Sequence, residues 1–180
     1  NRVEGPLLTV AVELGARMLL LGGAASSVAE GRDKLMEALH SGAGLEKLRQ
    51  MIVAQGGDPA CCDDVSKLPQ AKIIREVPAV EGGYIQCMDT IRLGNAAQAM
   101  GAGRKKKTDS IDYSVGFVMH KRIGDELRPG DAVATVHASS EESAARAASE
   151  ILASLSLSPT PVPRCKLIHA FVDSEHVERL

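Results

Sequence analysis

Apolar residues in the first part of the chain recur at intervals of three and four positions, which is the period of an α-helix. The first stripe contains Leu7, Val10, Ala11, Leu14, Met18 and Leu21. Gly22-Gly23 follow this stripe, and glycine at such a place favours the end of a helix. The pattern predicts a first helix that ends near Leu21.

Two further helices are predicted before residue 60. Ser27 and Glu30 have the spacing of a capping box, so a second helix should begin there and bury Val28, Leu35, Met36 and Leu39. A third helix should follow Ser41-Gly42 and end at Gly56-Gly57-Asp58-Pro59. Its apolar stripe consists of Leu45, Leu48, Met51 and Ile52. Residues 1–60 are therefore predicted to form an antiparallel three-helix segment.

The pattern changes after a polar, proline-containing stretch at residues 61–70, which we interpret as a linker between domains. Residues 72–77 and 84–88 are short β-rich runs, and Glu81-Gly82-Gly83 between them predict a hairpin. Asp89-Thr90 should cap a short helix through Met100 that Gly101 ends.

The rest of the chain alternates between strand and helix patterns. From Ser114, alternate residues are apolar and predict a half-buried strand, and residues 132–137 predict another. Ser139 and Glu142 predict a capped helix whose apolar stripe contains Ala144, Ala148, Ile151, Leu152 and Leu155. Residues 166–172 predict a last strand before a frayed, charged tail. Residues 71–180 should therefore form one α+β domain with mainly antiparallel strands.

Composition narrows the classes of function. The 180 residues carry a formal net charge of -2 without a charged half, and aromatic residues make up 2%. This composition argues against a nucleic-acid partner, which favours basic patches and aromatic stacking. Residues 7–21 form the longest apolar stretch, and Glu13 and Arg17 interrupt it, so we expect no membrane span. With no visible secretion signal, we expect a cytoplasmic protein.

The cysteines do not follow the spacing of a zinc site or a disulfide scaffold. There are four of them, Cys61, Cys62, Cys87 and Cys165, and we expect reduced thiols. The adjacent pair Cys61-Cys62 fits an ordinary loop, with a metal or redox role as the alternative. No metal ligand is assigned from the sequence.

A glycine-rich segment followed by cations is the candidate binding site. Gly101 and Gly103 allow backbone N–H groups to approach an anion, and Arg104 and Lys105 begin a run of four cations. The segment lacks the third glycine of a dinucleotide fingerprint and the ending of a P-loop. The alternative to an anion or domain-contact loop is a helix C-cap followed by a solvated basic loop.

Histidines and aspartates offer weaker candidates. His120 and His137 lie on predicted neighbouring strands and form a candidate functional pair, although a structural or exposed role is the simpler interpretation. Asp109, Asp112 and Asp125 have the chemistry of acid/base groups. Their places in turns favour capping instead.

Several ordered motifs carry a resemblance to a known family. They are Leu68-Pro69-Gln70-Ala71, Met100-Gly101-Ala102-Gly103-Arg104, the run from Asp109 to Phe117, Ile123-Gly124-Asp125 and the run from Ala134 to Ala138. Together with Gly15-Ala16-Arg17-Met18-Leu19, these segments resemble the C-terminal part of thymidine and pyrimidine-nucleoside phosphorylases.

The resemblance implies a cytosolic homodimeric pentosyltransferase. Such an enzyme cleaves a pyrimidine nucleoside with inorganic phosphate as co-substrate, needs no cofactor, and gives free base and (deoxy)ribose 1-phosphate. It implies that residues 1–60 belong to the larger catalytic domain and that residues 71–180 form an α/β-hammerhead, barrel-sandwich-like domain. The family's phosphate loop, base-binding residues and proposed catalytic His lie upstream, so no catalytic residue is assigned in this chain. We expect the chain alone to be inactive.

Two non-enzymatic alternatives remain. The strand and turn pattern from Val115 to Ala138 resembles biotinyl and lipoyl carrier domains, which expose a modified lysine at a hairpin tip. Neither Met-Lys-Met nor Asp-Lys-Ala occurs here, and Lys105–Lys107 lie in a longer loop, so the similarity favours a shared fold only. The second alternative is a packing and dimer-supporting module.

Overall fold

The computed structural model of the chain describes residues 4–172 and 174–179, and these residues form two compact units. The described residues of Asn1–Lys67 and Lys166–Leu180 form one unit, and Leu68–Cys165 form the other. The division after Lys67 falls inside the stretch that the sequence predicts as a linker. The described residues of Lys166–Leu180 group with the helices, although the sequence pattern assigns this stretch to the second domain.

The described residues contain five α-helices and eight strands. The helices are α1 (Pro6–Leu21), α2 (Val28–His40), α3 (Ala43–Ala54), α4 (Thr90–Ala97) and α5 (Glu141–Ala153). The strands are β1 (Ile73–Pro78), β2 (Gly83–Met88), β3 (Gly116–Met119), β4 (Glu126–Leu127), β5 (Ala132–Ala138), β6 (Leu155–Ser158), β7 (Ala170–Val172) and β8 (Val177–Arg179). All strand pairs are antiparallel, so the α+β class predicted from the sequence is confirmed.

The three predicted helices of the first unit are present, and local sequence sets their ends. Gly23 and Gly56 adopt positive φ angles after α1 and α3, as helix-ending glycines do. Ser27 caps α2 by accepting a hydrogen bond from the Glu30 N–H at 3.1 Å. Glu30 does not complete the predicted capping box, since its carboxylate accepts from the N–H and hydroxyl of Ser26 instead.

Helices α1 and α2 pack through small residues. Ala16 on α1 and Gly31 on α2 are both buried. A Cβ atom at Gly31 would lie only 2.8 Å from the carbonyl oxygen of Ala16, so the two backbones approach closely at this point. An ion pair also links the two helices. The Glu13 carboxylate accepts hydrogen bonds from Arg17 of its own helix and from Arg32 of α2.

The apolar stripe that predicts α1 is not its buried face. Leu7, Leu14, Met18 and Leu21 are between 61% and 87% exposed, and they share one side of the helix. We call these four side chains the α1 apolar face. The α3 residues Leu45, Leu48 and Met51 are also exposed. The period therefore identifies the helices correctly, but the apolar stripe does not coincide with the buried face of the helix.

The end of the chain forms a second strand where the sequence suggests a frayed tail. β7 pairs with β8, with Phe171 opposite Glu178, and the predicted strand over 166–172 is shortened to Ala170–Val172. The Arg17 guanidinium lies 5.4 Å from the centre of the Phe171 ring, within range of a cation–π contact. Strand pairing and this contact explain why the segment forms regular strands, which its charged composition did not indicate.

The second unit contains two three-stranded sheets, with orders β1-β5-β3 and β4-β2-β6. The predicted hairpin of β1 and β2 is therefore wrong. Ala79, which follows β1, donates its N–H to Asp131 O and accepts from Gly130 N–H, so this segment binds the turn before β5. The chain then passes into the other sheet, where β2 pairs with β4 and β6.

The helix predicted from Ser139 is shorter than its apolar stripe suggests. Ser140, one residue later than predicted, is the N-cap of α5 and accepts from Ser143 N–H. The helix ends at Ala153, and Leu155 belongs to β6, where it pairs with Met88. The buried Ser154 hydroxyl donates to the Ile151 carbonyl at 2.6 Å and satisfies the end of the helix.

The core of the second unit lies among the two sheets, α4 and α5. Its fully buried larger side chains are Val77, Ile85, Val133, Val136 and Ile151. As the alternating pattern predicts, Val115, Phe117 and Met119 pack against this core, while Val118 is exposed. This core anchors the segment between α4 and β3 that contains the candidate site.

Candidate functional site

The candidate site is the segment between α4 and β3, and we call residues 101–109 the basic loop. Asp89 caps α4 by accepting from Arg92 N–H, and α4 continues into a π-helical turn, Gln98–Ala102. Gly101 has a φ of 107°, a conformation that favours glycine, and it ends the helical backbone. The predicted helix stop at Gly101 is confirmed.

Two backbone anchors hold the start of the basic loop. The Gly101 carbonyl accepts from Asp112 N–H at 3.0 Å, and the Gln98 side chain donates to the Arg104 carbonyl at 2.7 Å. A Cβ at Gly103 would lie 3.3 Å from Gln98 Cγ, which leaves little room for a larger residue. Gly101 therefore allows the backbone to turn, and Gly103 leaves room for the Gln98 side chain.

The backbone N–H groups that would bind an anion already have a partner inside the loop. Lys105 N–H and Lys106 N–H both donate to Oδ2 of Asp109, at 3.1 Å and 2.8 Å. Asp109 N–H in turn donates to the Lys106 carbonyl. The carboxylate of Asp109 thus already accepts from two backbone N–H groups that an anion could otherwise use. The place of Asp109 in a turn favours such capping, and the structure identifies the two N–H groups that it caps.

The side chains of the basic loop point their charge outward. Residues 104–107 are exposed, and within the described residues no ion pair engages them. The loop borders an open cavity of about 510 Å³ that Gln98, Met100, Gly103, Lys105, Thr108 and Ser110 help to line. The predicted residues Gly101, Gly103, Arg104 and Lys105 are thus consecutive on one surface loop, which carries exposed cationic side chains and the internal carboxylate of Asp109. An anion-binding or domain-contact role for them stays a prediction.

The structure does not bring the candidate histidine pair together. His137 lies opposite Gly116 in the β3–β5 register, whereas His120 follows β3 four positions later. Strands rise roughly 3.3 Å per residue, so the two histidines are about 13 Å apart along the strand direction. His120 instead shares a hydrogen bond of 2.7 Å with the Thr135 hydroxyl.

The three candidate aspartates cap turns, as their positions predict. Asp112 accepts from the hydroxyl and N–H of Ser114, and these hydrogen bonds, the hydroxyl first, lower the pKa of its carboxyl. Asp125 accepts from Arg122 N–H at 2.9 Å and from the Arg164 guanidinium at 2.8 Å. These carboxylates are engaged by local donors, which suits a structural role better than proton transfer.

In the described part of the chain, no cluster of three or more His, Cys, Asp or Glu side chains has the arrangement of a metal site. None of the helices in residues 4–172 and 174–179 has the length and apolarity needed to cross a membrane. Lys105–Lys107 lie in a loop that joins a helical turn to β3, which differs from the hairpin tip of a carrier domain.

Comparison with known proteins gives matches over most of the chain. Residues 84–158 match the family described as pyrimidine nucleoside phosphorylase C-terminal domain. The chain is 37% identical over 168 residues to a pyrimidine-nucleoside phosphorylase of Geobacillus stearothermophilus, covering 92% of this chain and 39% of that protein. It is 39% identical over 140 residues to the Bacillus subtilis (strain 168) pyrimidine-nucleoside phosphorylase, covering 77% of this chain and 32% of that protein.

The matched segment coincides with the structural unit that contains the candidate site. It runs from β2 through the basic loop, β5 and α5 to the end of β6. The chain spans about a third to two fifths of the length of these relatives. The chain belongs to the pyrimidine-nucleoside phosphorylase family and corresponds to a C-terminal portion of its members.

Proposed function

We propose that the chain is the C-terminal part of a pentosyltransferase that splits a pyrimidine nucleoside with inorganic phosphate. The products are the free base and (deoxy)ribose 1-phosphate. The observation that carries this proposal is the similarity to pyrimidine-nucleoside phosphorylases over 92% of the chain. No cofactor is required, because phosphate itself is the nucleophile that replaces the base.

The chemistry requires more than this chain offers. As the glycosidic bond breaks, positive charge builds on the sugar and negative charge on the leaving base. An active site must hold the phosphate on one face of the sugar and stabilise the base on the other. In the basic loop, Asp109 already takes the N–H groups of Lys105 and Lys106. We therefore propose that catalysis depends on a preceding portion of the protein and that the 180-residue chain is inactive alone.

The α1 apolar face supports a missing partner within the same protein. Isolated exposed leucines are ordinary, but four aligned apolar side chains on one helix favour a covering surface. The relatives are more than twice as long as this chain, so such a surface is available in the rest of the protein. In this arrangement, residues 4–60 contribute helices to the larger catalytic domain.

The finer features of the family complete the proposal. We infer a homodimer in the cytoplasm, and we infer that residues 71–180 have the α/β-hammerhead, barrel-sandwich-like arrangement. The two three-stranded sheets of the second unit support that arrangement. In the basic loop, Gly101, Gly103, Arg104 and Lys105 would serve as an anion or domain-contact surface when the protein closes over its substrates.

The test is phosphate-dependent release of base. The full-length protein and the 180-residue chain are each incubated with thymidine or uridine, with and without inorganic phosphate, and free base is quantified by chromatography. The full-length protein should release base only with phosphate, and the chain should match a buffer control. Release by the full-length protein without phosphate, or no release from either nucleoside, would contradict the proposed reaction. Turnover by the chain alone would contradict only its inactivity.

A further inference from the structure

The second unit contains an open cavity of about 460 Å³ that the proposed function does not use. The segment after β1 lines it together with β4, β5, β6 and the last turns of α5. Of its ten described lining residues, eight are apolar, and none of the ten borders the cavity beside the basic loop. We call it the aliphatic cavity. Its volume lies within the range of small-molecule sites.

The aliphatic cavity reaches the edge of the hydrophobic core. Leu127 and Val133 are 2% and 0% exposed and belong to the core of the second unit. Leu152, Leu155 and Leu157 are half-buried and pack against that core. A ligand that covered these walls would remove further apolar surface from water, which favours binding.

Backbone contacts fix the walls of the cavity. Ala79 donates its N–H to the Asp131 carbonyl at 2.8 Å and accepts from Gly130 N–H at 2.9 Å. The segment that continues into Val80 and Glu81 is therefore attached to the turn before β5. The opposite wall belongs to β6, which is paired with β2. A ligand that enters such a preformed cavity need not order its walls.

Two polar side chains give the cavity a chemical preference. Glu81 and Ser149 are exposed, and among the described lining residues they are the only polar ones. Within the described part of the chain, the Glu81 carboxylate forms no ion pair and the Ser149 hydroxyl forms no hydrogen bond. No lysine, arginine or histidine is among the described lining residues. A carboxylate without a neighbouring cation attracts a positive ligand and repels a negative one.

We propose that the aliphatic cavity binds a small molecule with an aliphatic chain and a cationic head group, of which an alkylammonium ion is the simplest. The chain covers the leucine and valine walls, and the head group lies beside Glu81 and Ser149, where it stays partly hydrated. A phosphate has the wrong charge for this site, and a nucleoside has more hydrogen-bonding groups than two polar side chains can satisfy. The ligand is therefore of a different class from the substrates of the proposed reaction.

The first experiment locates the ligand. The probe is n-octylamine, added to the 180-residue chain with ¹³C-labelled methyl groups and followed by NMR. The methyl signals of Val133 and Leu157 should shift and saturate, with a Kd on the order of 1 mM for a ligand of this size. A shift without saturation, or equal shifts at the exposed Leu14 and Leu21 of the α1 apolar face, would overturn the site.

The second experiment tests the charge. The matched compounds are n-octanol, which is neutral, and n-octanoate, which is anionic. Because Glu81 is exposed, octylamine should bind about two- to fivefold more tightly than octanol, and octanoate more weakly than either. Glu81→Gln should make octylamine and octanol bind equally and leave octanol binding unchanged. A preference for octylamine that survives in Glu81→Gln would overturn the role of the carboxylate.

The third experiment blocks the cavity. Ser149→Trp adds a large side chain at an exposed lining position and should weaken octylamine and octanol alike by about fivefold or more. The control is Ala145→Trp, one helical turn earlier in α5, exposed and outside the lining. Equal binding by the two variants would overturn the site.

Calorimetry on the full-length protein distinguishes a ligand site from an internal contact. Octylamine binding with the same preference over octanol supports the proposal. Binding by the 180-residue chain but not by the full-length protein would assign the cavity to a contact with the preceding portion and overturn it. None of these measurements uses nucleoside turnover, so the phosphorylase proposal and this one fail separately.

Discussion

The contact between Gly31 and Ala16 shows how one small residue sets the packing of two helices. A Cβ at Gly31 would meet backbone atoms of Ala16, the carbonyl oxygen at 2.8 Å and Cα at 2.9 Å. Backbone atoms cannot turn away as a flexible side chain can, so a methyl group here must push α1 and α2 apart. The position requires glycine because the backbone of Ala16 is so close, and not because of its backbone conformation, since its φ is not in the left-handed region.

Gly31→Ala should therefore destabilise the helical unit. Overpacking of a well-packed contact costs about 1–3 kcal/mol, although alanine favours the helix itself. The matched control is Gly44→Ala in α3, where a Cβ would lie 3.4 Å from the nearest atom. Urea unfolding followed by circular dichroism measures both. A Gly31→Ala chain as stable as the Gly44→Ala chain would contradict the proposed close packing.

Glu13 gives the helical unit a pH dependence. Hydrogen bonds from Arg32 and then Arg17 lower the pKa of Glu13 from 4.5 to about 2. A carboxyl whose pKa is lower in the folded state stabilises that state above its unfolded pKa, and the stabilisation disappears as pH falls through the folded pKa. The side chain is 19% exposed, so solvent screening reduces the effect.

Glu13→Gln should lower the free energy of unfolding by about 1–2 kcal/mol at pH 7. The difference from the wild-type chain should shrink between pH 4.5 and pH 2, the window set by the two pKa values. Urea unfolding across this range tests it, with Glu142→Gln as the control because Glu142 forms an exposed pair within α5. A difference that stays constant down to pH 2 would show that Glu13 acts by packing alone.

Two adjacent serines precede helix α5, and only the second of them, Ser140, is its N-cap. The sequence pattern favours Ser139, but it is the Ser140 hydroxyl that accepts from Ser143 N–H, at 3.2 Å. Loss of an N-cap costs about 1 kcal/mol. Ser140→Ala should therefore lower the free energy of unfolding of the second unit by this amount, and Ser139→Ala should not. Thermal unfolding of both variants measures the difference. A larger loss of stability in Ser139→Ala than in Ser140→Ala would support Ser139 as the cap.

The helices were predictable and the strand partners were not. Ser27, Asp89 and the helix-ending glycines act on their own neighbours, so local sequence was enough to place the helix ends. The partner of β1 is β5, and Ala79 after β1 bonds to Gly130 and Asp131, about fifty positions later in the chain. The partners of β2 are β4 and β6, which are also distant in the sequence. A Glu-Gly-Gly turn motif between two β-rich runs carries no information on whether strands much later in the chain will pair with them instead.

The same distinction explains the candidate site. The motif correctly predicted a glycine-ended helix followed by exposed cations, which are local properties. It did not reveal that Asp109 supplies an internal anion for Lys105 and Lys106, because that depends on the folded path of the loop. The separation of His120 from His137 follows from strand register, which sequence alternation does not determine.

In the whole protein, the α1 apolar face should bind the portion that precedes this chain. Leu14→Gln with Met18→Gln should change the stability of the 180-residue chain by about 0.5 kcal/mol or less, because both side chains are exposed. The same pair should abolish binding to the preceding portion of the full-length protein, measured by co-purification of the two pieces. Ile91→Gln, an exposed apolar residue in α4, is the control. Undiminished binding by the double variant would place the contact elsewhere.

The most direct test of the account is reconstitution of activity from two pieces. The preceding portion of the protein and the 180-residue chain are purified separately, mixed, and assayed for release of pyrimidine base with and without phosphate. Each piece alone should be inactive, and the mixture should release base only when phosphate is present. Activity of the preceding portion without this chain, or of this chain by itself, would contradict the claim that catalysis requires both.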